Sequence, residues 1–137
     1  FGDPDNWRVF DDVPGELANL RRRGFRLGIL SNWDSRLTGI LAGLGVDRLV
    51  DHVFISAQVG YRKPHPGIFR RACDEAGVEP SEALHVGDSY HDDVEGARGA
   101  GLTPVLIDRY GWKPKFEVPV VSGLADLQGT GLLPGSP

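Results

Sequence analysis

The chain has 137 residues and a formal net charge of −4, with 40% hydrophobic and 25% charged residues, a composition typical of one globular domain with a real core. The acidic balance disfavours nucleic acid and anionic membranes as partners, because both reward a basic surface. A single cysteine, Cys73, excludes an intramolecular disulfide and fits a reducing cytosol. No apolar run approaches the roughly 20 residues that span a bilayer, and the polar start FGDPDNW does not resemble a signal peptide. We therefore expect a cytoplasmic protein with neither a nucleic-acid nor a membrane partner.

The first half of the chain predicts two helices, each followed by a strand. Asp12 is the expected N-cap of a first helix that Gly24 ends, and the apolar run 25–30 is typical of a buried strand. A second helix is predicted over 34–44, where leucines and an isoleucine recur with the helical period. A second strand is predicted over 52–57.

The second half continues the same alternation. A loop that contains Lys63 leads to a helix predicted over 66–76 and then to a strand over 83–87. Residues 93–100 are predicted to be helical, and a fourth strand is predicted over 103–107. The tail that follows is rich in glycine and proline and has room for a short strand and a last helical turn.

Short apolar strands that alternate with amphipathic helices predict βαβ units, and therefore an α/β fold with a parallel, doubly wound sheet. Ligands of such sheets bind beyond the carboxyl ends of the strands. The residues that follow the predicted strands are therefore the candidates for a functional site: Ser31 and Asn32, the loop residue Lys63, Gly87 and Asp88, and Asp108 and Arg109.

Three of these positions carry groups suited to a phosphoryl ligand. Ser31 offers a hydroxyl at the start of a helix, and Lys63 offers a mobile cation on a loop. Asp88, with Asp92 and Asp93 one helical turn later, forms an acidic group of the kind that binds Mg²⁺. Each signal alone is equally well explained by a helix cap or a solvated surface residue. The prediction therefore rests on their order and on their placement at successive strand ends.

The segments LGILSNWD, GYRKPHPGIF and ALHVGDSYHDDVEGARGAG resemble, in this order, motifs II, III and IV of the haloacid dehalogenase (HAD) superfamily. The resemblance covers most of 24–109, and the Ser-Asn-Trp-Asp form resembles one particular group in that superfamily. It implies a three-layer, Rossmann-like HAD core with a parallel sheet, of which residues 1–137 would be the C-terminal part. It also implies a phosphohydrolase that acts on a small phosphorylated metabolite through an aspartyl-phosphate intermediate.

The resemblance further implies a role for each of five residues. Ser31 would bind the transferring phosphoryl group, with Asn32 beside it in contact with phosphate or substrate. Lys63 would neutralise the charge of the nucleophile and the phosphate. Asp88 would ligate Mg²⁺, and Asp93 would support either the metal or Lys63.

The Asp-x-Asp pair of motif I, which supplies the nucleophile and the general acid and base of this family, has no match. Asp3-Pro4-Asp5 has the spacing but no preceding strand, and Asp11 is followed two residues later by Val13 instead of a second carboxylate. The motif I strand lies in the middle of the family's sheet, so without it both neighbouring strands would have unpaired backbone groups. We therefore expect a fragment that is inactive alone and needs a missing N-terminal segment, or a second copy of itself, to complete the sheet.

The start of the chain agrees with that expectation. The sequence contains no methionine and begins at Phe1, a residue before which an initiator is not normally trimmed. We expect something upstream to be missing, including the helical cap domain that often separates motifs I and II in this family.

Two other functions remain open. A 2-haloacid dehalogenase is less favoured, because that branch needs no metal and typically lacks the Gly-Asp-x-x-x-x-Asp pattern found over 87–93. A non-catalytic HAD-like protein that uses the same surface for binding or assembly is supported by the missing motif I.

Three further residues are interpreted as structural. His65 is expected to cap the helix that starts at Pro66. His85 lies inside a predicted strand and is interpreted as packed or hydrogen-bonded, and Cys73 is interpreted as a core residue on the apolar stripe of its helix.

Overall fold

Strands and helices alternate along the chain in the computed structural model, which describes Pro4 and residues 7–133. The strands are Gly28–Ser31 (β1), His52–Ile55 (β2), Leu84–Gly87 (β3), Thr103–Ile107 (β4) and Val120–Val121 (β5). The helices are Val13–Arg22 (α1), Arg36–Leu44 (α2), Ser56–Val59 (α3), Pro66–Ala76 (α4) and Gly96–Gly99 (α5). A π-helical segment, Tyr90–Glu95, runs directly into α5, and 3₁₀ turns lie at Val46–Leu49, Pro80–Glu82 and Leu124–Thr130. No helix in this part of the chain is long and apolar enough to cross a membrane.

The described strands form two separate parallel sheets, which confirms the predicted α/β class. β1 pairs with β2, with Ser31 opposite Ile55. β3, β4 and β5 pair in that order, with Gly87 opposite Leu106. Within the described residues, no strand pairs with the edge of β1 that faces away from β2 or with the edge of β3 that faces away from β4.

Helices α4 and α5 join the two sheets on one face. Ile68 and Phe69 of α4 are completely buried and share one apolar cluster with Phe54 of β2 and Ala97 of α5. Gly96 allows this close packing, because a Cβ atom there would lie 2.8 Å from the Phe69 ring. This shared cluster therefore joins the two sheets.

The opposite face is covered by α2 over the first sheet and by the C-terminal 3₁₀ turn over the second. Ile40 of α2 packs in a cluster with Ile55 and Ile29, whose side chains alternate with those that face α4. Leu127 packs on Val105 and Val121 in a third cluster. The structure therefore has helical layers on both faces of its sheets, as a doubly wound fold requires.

Asp12, directly before α1, bonds to the part of this face that covers the second sheet. Asp12 occupies the N-cap position of α1, as predicted, but its side chain makes no capping hydrogen bond. Its carboxylate accepts instead from Arg109 Nη1 at 2.9 Å and from the backbone N–H of Leu124 at 2.8 Å. Asp12 therefore ties the start of α1 to the end of β4 and to the C-terminal turn.

The element boundaries agree with the sequence patterns to within a few residues. The strand predicted over 103–107 and the helix predicted over 66–76 have the predicted bounds, whereas the strand predicted over 25–30 lies at Gly28–Ser31. Gly77 ends α4 in the left-handed conformation, with φ of 71°. That the chain is the C-terminal part of one domain stays a prediction.

Asp12 should stabilise the fold in its ionised form. Burial alone would raise the pKa of Asp12, but hydrogen bonds from Leu124 and Arg109 outweigh burial and hold the pKa below its ordinary value. The stabilisation is therefore present above the unfolded pKa, about 3.9, and is lost as the pH falls through the lower folded pKa. We expect Asp12→Asn to lower the free energy of unfolding at pH 7 by about 1.5 kcal/mol.

Urea denaturation at pH 7 and near pH 3 measures this difference, with Asp11→Asn as the matched control. Asp11 is exposed, and Asp11→Asn removes the same charge one residue earlier in the chain. Equal stabilities of the two variants at pH 7, or a difference that grows as the pH falls, would contradict the assignment.

Candidate phosphate and metal site

The three predicted strand ends lie along one edge of the fold. Ser31 is the last residue of β1, and Asp88 directly follows β3. Lys63 lies between α3 and α4, in the connection that follows β2. Because the strands within each sheet are parallel, these segments all leave their sheets at the carboxyl end, where ligands of α/β proteins bind.

A buried ion pair joins two of these segments. Lys63 Nζ donates to Asp93 Oδ1 at 2.6 Å, and the two side chains are only 12% and 4% exposed. His85 Nε2 lies 2.8 Å from the same oxygen. Asp93 Oδ2 accepts from the backbone N–H of Ser89 at 3.0 Å. Both oxygens of Asp93 are therefore occupied by groups of the protein itself.

These donors keep Asp93 ionised. Burial alone would raise the pKa of Asp93, but hydrogen bonds from His85 and Lys63, and the charge of Lys63, hold the pKa well below its usual range. Gly87 makes room for the carboxylate, since a Cβ atom at this position would collide with it. Gly87 therefore allows the close approach of Asp93 to the end of β3.

The side-chain amide of Asn32 links the β1 loop to the Lys63 loop. Asn32 Oδ1 accepts from the backbone N–H of Lys63 at 2.7 Å, and Asn32 Nδ2 donates to the backbone carbonyl of Lys63 at 3.0 Å. Nδ2 also lies 3.5 Å from Asp92 Oδ2. The predicted contact of Asn32 with phosphate or substrate stays a prediction, and the contacts that the structure shows go to Lys63 and Asp92.

Ser31 and Asp88, in contrast, have uncommitted polar groups. In residues 7–133 neither the half-buried Ser31 hydroxyl nor the exposed Asp88 carboxylate has a hydrogen-bond partner. A hydroxyl and a carboxylate at a sheet edge are therefore available to a phosphoryl oxygen and to a cation.

The described acidic residues can supply part of the ligand set of a Mg²⁺ ion. Mg²⁺ is held by one or two carboxylates together with water and phosphate oxygens. Asp88 offers one uncommitted carboxylate, whereas both oxygens of Asp93 are already bonded. No group of three or more His, Cys, Asp or Glu residues in the described ranges is placed to hold a metal ion. The assignment of Asp93 as a metal ligand stays a prediction, and its observed partner is Lys63.

The two possible substitutes for motif I are Asp3-Pro4-Asp5 and the segment around Asp11. Asp3 and Asp5 lie outside the described residues. Asp11 lies in an exposed turn directly before α1, and residues 7–12 contain no strand. Asp11 therefore has none of the strand-end context that the family's nucleophile occupies.

The residues interpreted as structural have structural contacts. His65 Nδ1 accepts from the backbone N–H of Gly67 at 2.9 Å and so caps α4, as predicted. Cys73 is buried, and burial raises the pKa of its thiol. His85 is buried and hydrogen-bonded, as expected, but its partner Asp93 brings it into the ion-pair network, which no local pattern signalled.

An aromatic contact near the site was also missed. The rings of Tyr90 and Phe116 stack with centroids 4.0 Å apart, so the segment after β4 folds back onto the segment that follows Asp88. Tyr110 and Trp112 in the same segment stack on each other and are 62% and 81% exposed. The only signal of this contact in the sequence is that the Gly- and Pro-rich tail contains aromatic residues.

Comparisons with known proteins agree on one family. The family model of the haloacid dehalogenase-like hydrolases matches residues 1–101. The chain is 43% identical to mouse haloacid dehalogenase-like hydrolase domain-containing protein 3 over 107 residues, which cover 78% of this chain and 43% of that protein. It is 39% identical to phosphoserine phosphatase of Thermus thermophilus over 84% of this chain and 46% of that protein. The chain thus spans about half the length of the curated relatives it matches.

Solved structures give the same result. A HAD phosphatase from Thermococcus onnurineus matches 93% of this chain and 60% of its own, with a TM-score of 0.88 and 32% identity. A 2-haloacid dehalogenase from Pseudomonas syringae matches 89% of this chain and 52% of its own, with a TM-score of 0.76 and 27% identity. On its sequence and on its fold, the chain belongs to the haloacid dehalogenase-like hydrolases.

Proposed function

We propose that the chain is the phosphate- and Mg²⁺-binding part of a phosphatase that acts on a small phosphorylated metabolite, and that its nucleophile comes from a segment outside this chain. The strongest support is that the site residues at the carboxyl ends of the strands fall into two kinds. The Lys63–Asp93 pair is fixed and internally satisfied, whereas Ser31 and Asp88 present uncommitted polar groups. We place the enzyme in the cytosol, because its single cysteine, Cys73, is a free buried thiol.

In this proposal the residues act on the charge of the transferring phosphoryl group. The Ser31 hydroxyl donates to a phosphoryl oxygen, and the Lys63 ammonium lowers the energy of the charge that builds up between nucleophile and phosphate. Asp88 holds the Mg²⁺ ion, which supplies further charge neutralisation when bound. An aspartate from outside the chain attacks phosphorus as the ester oxygen leaves and takes up a proton. Water then cleaves the aspartyl-phosphate, releases inorganic phosphate and restores the carboxylate.

The same segment is proposed to complete the sheet. β1 and β3 are apolar, yet Ile29, Leu30, Leu84 and Val86 are only half-buried. The edges of both strands also carry backbone groups that no described strand pairs. Unpaired edges and half-buried apolar strands are the features of a sheet that accepts a further strand. An N-terminal segment of the longer protein, or a second copy of the chain, would supply it.

The two alternatives have less support. A dehalogenase would not use the uncommitted carboxylate that Asp88 presents, since that branch needs no metal. A non-catalytic binding or assembly protein has no need of a buried Lys63–Asp93 pair at the carboxyl edge, because apolar residues in place of a buried ion pair often leave a fold as stable or make it more stable. Two of the similar proteins are named as phosphatases, one for glyceraldehyde 3-phosphate and one for phosphoserine, and this also favours hydrolysis of a phosphate ester.

Asp88→Asn in the full-length protein should abolish the Mg²⁺-dependent hydrolysis of p-nitrophenyl phosphate, because an amide oxygen is a weaker ligand for a hard cation than a carboxylate. The rate is measured with and without added Mg²⁺. Asp74→Asn, at an exposed position on α4, serves as the matched control and should retain wild-type activity. Retained activity in Asp88→Asn would refute the metal assignment.

Lys63→Met should destabilise the fold by about 3–5 kcal/mol, because it leaves the buried Asp93 carboxylate without its counter-charge. The double variant Lys63→Met/Asp93→Asn removes both charges and should be more stable than Lys63→Met alone. Urea denaturation at pH 7 gives the free energies of unfolding of the wild type, Lys63→Met, Asp93→Asn and the double variant. The exposed pair Arg71–Glu75 provides the comparison, since Arg71→Met should cost less than about 0.5 kcal/mol. A double variant that loses the sum of both single effects would show that the two charges are not coupled.

The isolated 137-residue chain should self-associate or unfold without a cooperative transition, and it should show no phosphatase turnover even with Mg²⁺. Sedimentation, thermal unfolding and a p-nitrophenyl phosphate assay test these outcomes. A stable, cooperatively melting monomer would count against the missing strand. Measurable turnover would show that Asp11, or one of Asp3 and Asp5, serves as the nucleophile.

A further inference from the structure

The amide of Asn32 binds the backbone N–H and the backbone carbonyl of one residue, Lys63. Its oxygen accepts from the N–H of Lys63 at 2.7 Å, and its nitrogen donates to the carbonyl of Lys63 at 3.0 Å. One side chain thus binds both polar backbone groups of one residue, 31 positions away in the chain. Nδ2 also lies 3.5 Å from Asp92 Oδ2, which makes a long hydrogen bond for its second hydrogen. Little of the hydrogen-bonding capacity of the amide is left for a ligand.

Only one orientation of the amide satisfies these contacts. A rotation of the Asn32 side chain by 180° would place its nitrogen against the N–H of Lys63 and its oxygen against the Lys63 carbonyl. Both contacts would then be repulsive. The backbone of Lys63 therefore selects the orientation of Asn32, and Asn32 in turn fixes the position of that backbone.

The loop that carries Asn32 is itself held in place. Ser56 Oγ accepts from the backbone N–H of Trp33 at 2.9 Å and donates to its carbonyl at 3.0 Å. The N–H of Ala57 donates to the same carbonyl at 3.1 Å. Two residues of α3, which precedes the Lys63 loop, are therefore bonded to the segment that follows Ser31, and this gives the Asn32 side chain a fixed base.

Lys63 is held at its other end as well. Its ammonium nitrogen lies 2.6 Å from Asp93 Oδ1, so a side chain with four rotatable bonds has both its backbone and its charged group fixed. Resting on the function proposed above, we propose that Asn32 is a positioning residue, which acts on the phosphoryl group through Lys63 and makes no contact with the substrate. Ser31, whose hydroxyl is uncommitted, contacts the phosphoryl group directly.

A double-mutant cycle on the full-length protein separates these two roles. Asn32→Ala should lower kcat/KM for p-nitrophenyl phosphate by about tenfold to a hundredfold, because small displacements of a charged group have effects of this size. In a Lys63→Ala background the same Asn32→Ala change should alter kcat/KM by less than about twofold, since the group it positions is gone. Equal losses in the two backgrounds would show that Asn32 contacts the substrate itself and would overturn the proposal.

Hydrogen exchange tests the positioning role without any activity. The amide of Lys63 should exchange about tenfold faster in Asn32→Ala than in the wild type, because it loses the acceptor that protects it. Gln58→Ala, which truncates an exposed amide on α3, should change neither this exchange rate nor kcat/KM. Unchanged exchange at Lys63 in Asn32→Ala would overturn the proposal, whatever the activity of the protein.

Asn32→Ser, whose hydroxyl can still make one of the two bonds, provides the second variant if Asn32→Ala does not fold. It should show intermediate exchange and an intermediate loss of kcat/KM. A full-length protein that hydrolyses no phosphate ester would refute the proposed function, and the exchange rates would still decide whether Asn32 holds Lys63.

Discussion

The buried contact between Lys63 and Asp93 is the constraint on which the site depends. An ion pair with side chains only 12% and 4% exposed is stable only when its remaining polar atoms are also satisfied. The neighbouring structure meets that requirement. His85 and the backbone N–H of Ser89 make the other hydrogen bonds of the Asp93 carboxylate, and Gly87 leaves the space that this carboxylate fills. The strand end, the π-helical segment and the Lys63 loop are thus arranged around one charge.

This arrangement divides the polar groups of the site into two kinds. Asn32, Lys63 and Asp93 have their hydrogen-bonding capacity occupied by one another or by the backbone. Ser31 and Asp88 have theirs open to solvent within the described structure. Groups that are already satisfied cannot rearrange cheaply, so they are suited to hold geometry. Groups that are open are suited to exchange water for a ligand.

The sequence predicted the architecture and the places of the site residues, because both depend on local patterns. Apolar strands alternating with amphipathic helices define the parallel α/β fold, and positions such as Ser31 and Asp88 follow directly from where strands end. It did not predict the long-range side-chain contacts of Asn32 and Asp12. The Asn32 amide depends on a loop 31 residues away, and Asp12 bonds to Arg109 across almost the whole chain. Such contacts are set by tertiary packing, which outweighs local preferences such as helix capping.

The separation of the two sheets also bears on how the molecule can move. β1 and β2 come from neighbouring parts of the chain, as do β3 and β4, so each sheet is a local unit whose hydrogen bonds lie within itself. The units meet through the side chains of α4 and α5 and through the bonds that cross the site. A relative rotation of the units would break no described strand pairing. The contacts that resist such a rotation at the carboxyl edge are Lys63–Asp93 and Asn32–Asp92. The lysine proposed to act on the phosphoryl group would therefore also hold the two sheets together.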